Sequence, residues 1–496
     1  MKKQPVVISA LLACLFAFCE PCTAKKIRTD MTEAMRESLV YLEISAHGYE
    51  QHQPWKHTDV TRRPGYGCAV GKYEVLTTAR NVVNAAFIKV QKYAQNEFIP
   101  AKVKVADYQS DLALLELDAN SMLQPLKPLK FSDDYRKGVD VDFYWLSADG
   151  DLYTGRGFLD RARVSQSTVS YAQMLNYVVA NTSQQTGLGQ VYCDQRKPVG
   201  IACWANENKE SWVIPAETIN RFLADAGDSL YKGFGVAGFG TTILVDPAMR
   251  SYLKMPGDLK NGVYVTEVYN LGTGSKEIRK ADVILAIDGR TIDSYGQFEH
   301  PAYGRLSFQH LIASRPVGEQ IIFDVWRDGS RQRLDIEVRN FGASEMLVPY
   351  YEYSEQPEYV ITAGFILQKL TREYLAAWGE NWPGRVAPHV YHYYRDLAFR
   401  PTEERQDIVI LSYVLPAAIN LAYKDLGQLV VKKFNGMEIR SIRDVVEAQK
   451  LNPQSKYDVI EFEMDNPVVV IPRDALAEAD SRIAQAYGIT KPVNVR

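Results

Sequence analysis

At 496 residues the chain is too long for one hydrophobic core and predicts three or four units of ordinary domain size. Its 46% hydrophobic and 24% charged residues exclude a mainly disordered, collagen-like or polytopic membrane chain. Lys+Arg 57 against Asp+Glu 60 leaves a net charge of −3, with no basic field to hold a phosphate backbone, so nucleic acid is not an expected partner.

The first segment, Met1–Ala24, joins Lys2 and Lys3 to an apolar run from Val6 to Phe18 and ends in Cys22-Thr23-Ala24 before Lys25-Lys26. This is the form of a secretory signal peptide, and the run is shorter than the roughly 20 apolar residues that span a bilayer. No later segment reaches that length, so the expectation is an exported chain, periplasmic or secreted, without an integral membrane segment. Leu11-Leu12-Ala13-Cys14 has the loose form of a lipoprotein box, but cleavage there would leave a very short apolar region. Beyond the signal only Cys68, Cys193 and Cys203 remain, an odd count that excludes a closed disulfide framework. Cys193 and Cys203 flank a turn-like Asp194–Pro198 and are read either as a bridge or as small buried hydrophobes.

Residues 25–228 form the first folded unit. Short apolar or alternating runs, Val40–Ile44, Gly67–Leu76, Phe98–Val105, Leu112–Leu117, Val139–Leu146, Tyr177–Ala180, Val199–Trp204 and Ser211–Ile214, are separated by Gly, Pro, Asn and Asp and predict an all-β barrel or sandwich. A helix from Pro215, stopped by Gly227, closes it. A second unit, 231–342, has predicted strands Gly262–Val268, Asp282–Ile287 and Gln320–Trp326 and a helical stretch Phe308–Ser314. An acidic, Tyr-rich segment without periodicity makes 343–359 a linker. In 360–496, strands Val360–Gln368, Ile408–Val414, Leu429–Phe434 and Asp458–Glu463 and a helix Ser441–Gln449 repeat the rhythm of the second unit.

Three motifs in this order resemble the HtrA/Deg family of trypsin-fold serine proteases. Gly65-Tyr-Gly-Cys-Ala-Val-Gly-Lys-Tyr-Glu-Val-Leu-Thr-Thr-Ala-Arg80-Asn-Val is similar to the strand pair that leads to the catalytic histidine. Ser110-Asp111-Leu-Ala-Leu-Leu-Glu-Leu is similar to the aspartate segment, and Ser183-Gln-Gln-Thr-Gly187-Leu-Gly-Gln-Val with Pro198-Val-Gly-Ile to the nucleophile loop. Downstream, Lys280-Ala-Asp-Val-Ile-Leu-Ala-Ile-Asp-Gly-Arg and Val325-Trp-Arg-Asp-Gly resemble a first PDZ domain. Val430-Val-Lys-Lys-Phe-Asn-Gly-Met-Glu-Ile and Val459-Ile-Glu-Phe-Glu resemble the more divergent second PDZ of the plant-type Deg branch. The resemblance implies a trypsin-like double β-barrel followed by two small α+β PDZ domains; the second departs from the pattern with a helical insertion, Thr371–Arg405, expected to cover its groove. It also implies trimer-based homo-oligomers.

At the histidine position stands Arg80, whose guanidinium stays protonated and cannot accept a proton from a nucleophile. At the serine position stands Gly187, which has no side chain to attack a carbonyl. Asp111 alone is retained, and a carboxylate–guanidinium contact with Arg80 is expected to hold the empty site shut. Gln185 replaces the glycine that opens the oxyanion loop. The alternative is an active serine-type endopeptidase with relocated residues, for which Ser183, Thr186, His47, His52 and His57 are the candidates.

In PDZ domains a short apolar-Gly-apolar loop offers backbone N–H groups to a terminal carboxylate, and the adjoining strand edge pairs with the peptide. The matching stretch is Val236-Ala237-Gly238-Phe239, with Lys232 as charge partner, and in the second domain Ala363-Gly364-Phe365-Ile366. The competing reading is that each merely begins a strand. Ala281 stands where the family usually has Gly before Asp282, a turn position outside the groove. Gly233-Phe-Gly-Val-Ala-Gly238 has dinucleotide spacing but the wrong order of helix and strand. His389 and His392 lack a carboxylate or cysteine at ligand spacing, so neither metal nor cofactor is expected. The tyrosines of Tyr350-Tyr-Glu-Tyr353 and His392-Tyr-Tyr either form an interface, line a groove or simply pack. The expected partners are unfolded or C-terminal polypeptide segments, and the expected role is that of a non-catalytic scaffold or chaperone in protein quality control.

Overall fold

The computed structural model describes residues 31–95, 97–122, 124–182, 187–195, 197–207, 209–464 and 466–496. The signal-peptide reading of 1–24 and the residues Ser183, Gln185 and Thr186 lie outside them.

Strands β1 (Leu39–Ala46), β2 (Thr61–Ala69), β3 (Glu74–Thr77), β4 (Ala85–Lys92), β5 (Phe98–Asp107) and β6 (Leu112–Leu117) close into a barrel in the order β1-β2-β3-β6-β5-β4. Alternation along β1 sends Val40, Leu42 and Ile44 inward against Val75, Val90, Ile99 and Leu115. Each such burial contributes about 1.5–3 kcal/mol. A second barrel, β7 (Val139–Leu146), β8 (Leu152–Gln166), β9 (Gln173–Asn181), β10 (Val191–Asp194), β11 (Lys197–Ala205) and β12 (Glu210–Pro215), closes as β10-β11-β12-β9-β8-β7. The expected trypsin-like double barrel is therefore formed. Leu39, Cys68 and Leu76 of the first barrel pack with Cys193, Ile201 and Phe222, so a shared core joins the barrels and the helix Ala216–Ala226. Cys68, Cys193 and Cys203 are free and buried, and Cys193 faces Pro198 across the β10–β11 pairing rather than Cys203.

The middle unit is an antiparallel sheet in which Phe239–Thr242, Val263–Val268, Val283–Ile287, Gln320–Arg327 and Ser330–Glu337 follow one another side by side, with a helix at Gln309–Ala313. Its core is Phe239, Val265, Ile284, Phe308, Ile312 and Phe323. In the C-terminal unit the expected single strand Val360–Gln368 is a hairpin, Tyr359–Thr362 and Phe365–Lys369. Ala363 (φ +48°) and Gly364 (φ +82°) supply the two left-handed residues that a two-residue turn matching strand twist requires.

Segment 343–359 is packed rather than free: Met346, Leu347 and Val348 are buried. Tyr353 donates to Val169 O at 3.0 Å, and Asn84 N–H donates to Ser354 Oγ at 3.0 Å while Ser354 N–H donates to Asn84 Oδ1 at 2.9 Å. The insertion Thr371–Arg405 does carry helices, Arg372–Ala376 and Pro388–Leu397, but it bridges to the middle unit instead of simply covering its own domain. Asn270 N–H donates to Phe399 O at 3.0 Å, Asn270 Nδ2 to Pro401 O at 2.7 Å, and Arg400 pairs with Glu267 at 2.9 Å. Among the described residues no helix is long and apolar enough to cross a membrane.

Candidate functional site

The first site is the cleft between the barrels. β3 ends at Thr77, and Thr78 caps one helical turn, Ala79–Val82. That turn rests on the Asp111 loop: Ala79 N–H donates to Asp111 O at 3.1 Å and Arg80 N–H to Asp111 Oδ1 at 2.8 Å. Asp111 has φ +57° and is 3% exposed, and its Oδ2 has no hydrogen-bond partner. Burial raises its carboxyl pKa to about 7, against the lowering effects of the Arg80 N–H, the Arg80 charge and the Ala79 N–H, with Asp107 adding to the rise. The expected Arg80–Asp111 ion pair is not formed. Oδ1 is engaged by the main chain of Arg80, and the guanidinium acts on Asp111 only through space.

On the opposite wall Gly187 N–H donates to Gln190 Oε1 at 2.9 Å, so this backbone donor is already taken within the loop. Leu188 O accepts from Tyr66 N–H at 3.2 Å and from Asn81 Nδ2 at 3.2 Å, stitching the loop to the first barrel. Gly189 is left-handed at φ +89°, and a β-carbon there would run into the Tyr66 carbonyl. Tyr66, Asn81 and Gln190 carry no role in the sequence reading, although Tyr66 and Asn81 lie in the first motif and Gln190 in the nucleophile-loop motif. His47 and His57 stack on each other at 4.1 Å, and His52 packs on Tyr374 and Trp378. Among the described residues none of these three contacts Arg80, Asp111 or Gly187.

The second site lies against the middle unit. A cavity of about 590 Å³ is bounded by Val236, Ala237, Phe239 and Thr241, by Gln309 of the short helix, and by Tyr391 and Tyr394 of the insertion helix. Strand Phe239–Thr242 is the edge of its sheet, paired on one side with Val263–Val268. The loop before it is tied to neighbouring segments: Val236 N–H donates to Arg339 O at 3.0 Å and Gly238 N–H to Thr273 O at 2.7 Å. A β-carbon on Gly238 would lie 2.6 Å from Leu271 O. Lys232 is exposed, its N–H bonded to Asp225, and it does not line the cavity.

Ala363-Gly364-Phe365-Ile366 is a buried turn and strand, not an open carboxylate loop. Ala363 N–H donates to Asp480 Oδ1 at 2.6 Å, Ala363 O accepts from Asn420 Nδ2 at 2.6 Å, and Gly364 O accepts from Leu415 N–H at 2.8 Å. His389 faces Gln428 O at 2.8 Å and His392 faces Asp396 Oδ2 at 2.7 Å, each with its own partner.

The "PDZ domain" family profile matches residues 348–494. Over 443 residues the chain is 27% identical to "Protease Do-like 2, chloroplastic" of Arabidopsis thaliana, covering 88% of this chain and 71% of the relative. It is 24% identical over 442 residues to "Protease Do-like 4, mitochondrial" of the same plant, covering 88% and 81%. Among solved structures it is similar to "HtrA-type protease AlgW with tripeptide", at 16% identity and a TM-score of 0.48, covering 63% of this chain and 96% of that one.

Proposed function

We propose that this Deg/HtrA-like chain, whose affinity is with the plant-type Deg branch, is an exported, non-catalytic polypeptide-binding protein of protein quality control. In this reading 25–228 is a pseudoprotease domain, 231–342 and 360–496 are PDZ domains joined by 343–359, and the chain works as an oligomer. The observation that carries the reading is the pair of side chains at the motif positions in the cleft. Arg80 offers a permanent cation where a proton acceptor is needed, and Gly187 offers no attacking atom.

The closed state of the Gly187 amide adds support. An oxyanion site needs donors aimed at an incoming oxygen, and this donor already points at Gln190. Binding is supported by the groove between edge strand Phe239–Thr242 and helix Gln309–Ala313, whose strand edge is open to an added peptide strand. The test is casein turnover by the purified chain together with its suppression of casein aggregation. The reading expects suppression without cleavage; turnover that disappears on Ser183→Ala or Thr186→Ala would support a relocated endopeptidase instead.

A further inference from the structure

We infer that Arg395, on the insertion helix of the C-terminal unit, is the carboxylate receptor of the middle unit's peptide cavity, selecting peptides that end in an aromatic residue with a free carboxylate. This rests on the proposed peptide-binding role and names the ligand class for that site.

The spacing of Tyr391, Tyr394, Arg395 and Ala398 is that of one helical face, and all four line the same cavity as Val236, Ala237 and Phe239. The loop that shares this cavity has two of its N–H groups, those of Val236 and Gly238, already bonded to Arg339 O and Thr273 O. A carboxylate arriving there would therefore meet fewer backbone donors than an open loop offers.

Arg395 makes up the shortage. It is exposed, and among the described residues its guanidinium has no ion-pair, hydrogen-bond or ring partner. The neighbouring cations are engaged: Arg400 pairs with Glu267 at 2.9 Å, and Arg372 lies over the rings of Tyr350 and Tyr351. The nearby acid Asp396 is held by His392 at 2.7 Å. Among the described residues that line the cavity, Arg395 is the one that carries a charge. Its charge acts on the Tyr269 hydroxyl, which lines the same cavity, against the larger opposing effects of burial and Glu267. The guanidinium fork suits a carboxylate bidentately. The rest of the wall, including Tyr171, Phe341, Trp382 and Phe399, suits a flat apolar side chain.

The test is fluorescence anisotropy with a fluorescein-labelled octapeptide ending in Phe, as the free acid and as the C-terminal amide. The full chain is compared with Arg395→Gln and Arg395→Lys. The wild type should prefer the acid by about tenfold, Arg395→Gln should bind both forms equally, and Arg395→Lys should keep part of the preference. An undiminished acid preference in Arg395→Gln would overturn the assignment while leaving peptide binding intact. Failure of the wild type to bind either form would overturn the peptide-binding reading itself. Because Arg395 is exposed and unpaired, unchanged thermal unfolding is expected for both variants and verifies that they fold.

Discussion

A β-carbon placed on Gly187 would stand 2.5 Å from Cε2 of Tyr66 and 3.1 Å from its Cδ2. The ring of the first barrel thus occupies the space into which any side chain at 187 would extend, and the Tyr66 main chain is tied to the same loop through Leu188 O. Restoring the two residues of the family motif should therefore fail. Arg80→His/Gly187→Ser is expected to show no casein turnover, and Gly187→Ser alone to lose about 1–3 kcal/mol of stability from overpacking, read by urea denaturation. In a Tyr66→Ala background most of the Gly187→Ser penalty should disappear.

The buried carboxyl of Asp111 gives a pH dependence of definite sign. Its folded pKa, about 7, lies above the ordinary carboxylate value of 3.8, so across that interval the folded chain holds a proton that the unfolded chain releases. The stabilisation is complete below the ordinary value and is lost as pH rises to 7. Asp111→Asn removes this titration, so it should be more stable than wild type at pH 8, by on the order of 2 kcal/mol, with the gap narrowing as pH falls below 7 and closing only below about 4. Glu373, also raised to about 7 chiefly by burial, acts in the same direction. Combining Asp111→Asn with Glu373→Gln should flatten the profile further between pH 5 and 8. His310, lowered to about 4 by burial, works oppositely: its contribution is lost as pH falls from its ordinary 6.5.

Much of this architecture was legible in the residues. Leu112–Leu117, Val139–Leu146 and Leu429–Phe434 are strands at the expected bounds because their apolar runs end at turn residues on both sides. β8 was not, since Arg156 and Arg161 face solvent and Gly155 and Gly157, packed against Phe143 and Val179, add no apolar side chain to the signal. Ser330–Glu337 was missed for the same reason, its charged residues lying on an exposed sheet face. Val360–Gln368 read as one strand because both arms of the hairpin are fully buried and the turn, Ala363-Gly364, adds only one glycine to an apolar run. In the cleft, residue types at 80, 111 and 187 were readable by motif. The main-chain grip on Asp111 and the Gln190 clasp on Gly187 depend on loop geometry that spacing does not encode.

The middle unit depends on one buried ion pair. Arg327 meets Asp282 in a bidentate contact, both bonds 2.7 Å, with Asp282 1% exposed. Removing one partner leaves the other charged and desolvated, so Asp282→Ala should lower stability by about 3–5 kcal/mol, while Asp282→Leu/Arg327→Met should recover much of that loss. Differential scanning calorimetry of the full chain reads both. Beside it, Ala281 is held at φ +74°, and Ala281→Gly should raise the same transition, by about 1 kcal/mol.

Intact-mass spectrometry after exposure of the purified chain to a serine-reactive fluorophosphonate bears most directly on the pseudoprotease reading. The account predicts an unmodified mass at every pH from 6 to 9, because the seat at 187 holds no hydroxyl and position 80 no base. A stoichiometric adduct, mapped by peptide sequencing to any serine or threonine of the cleft, would contradict it.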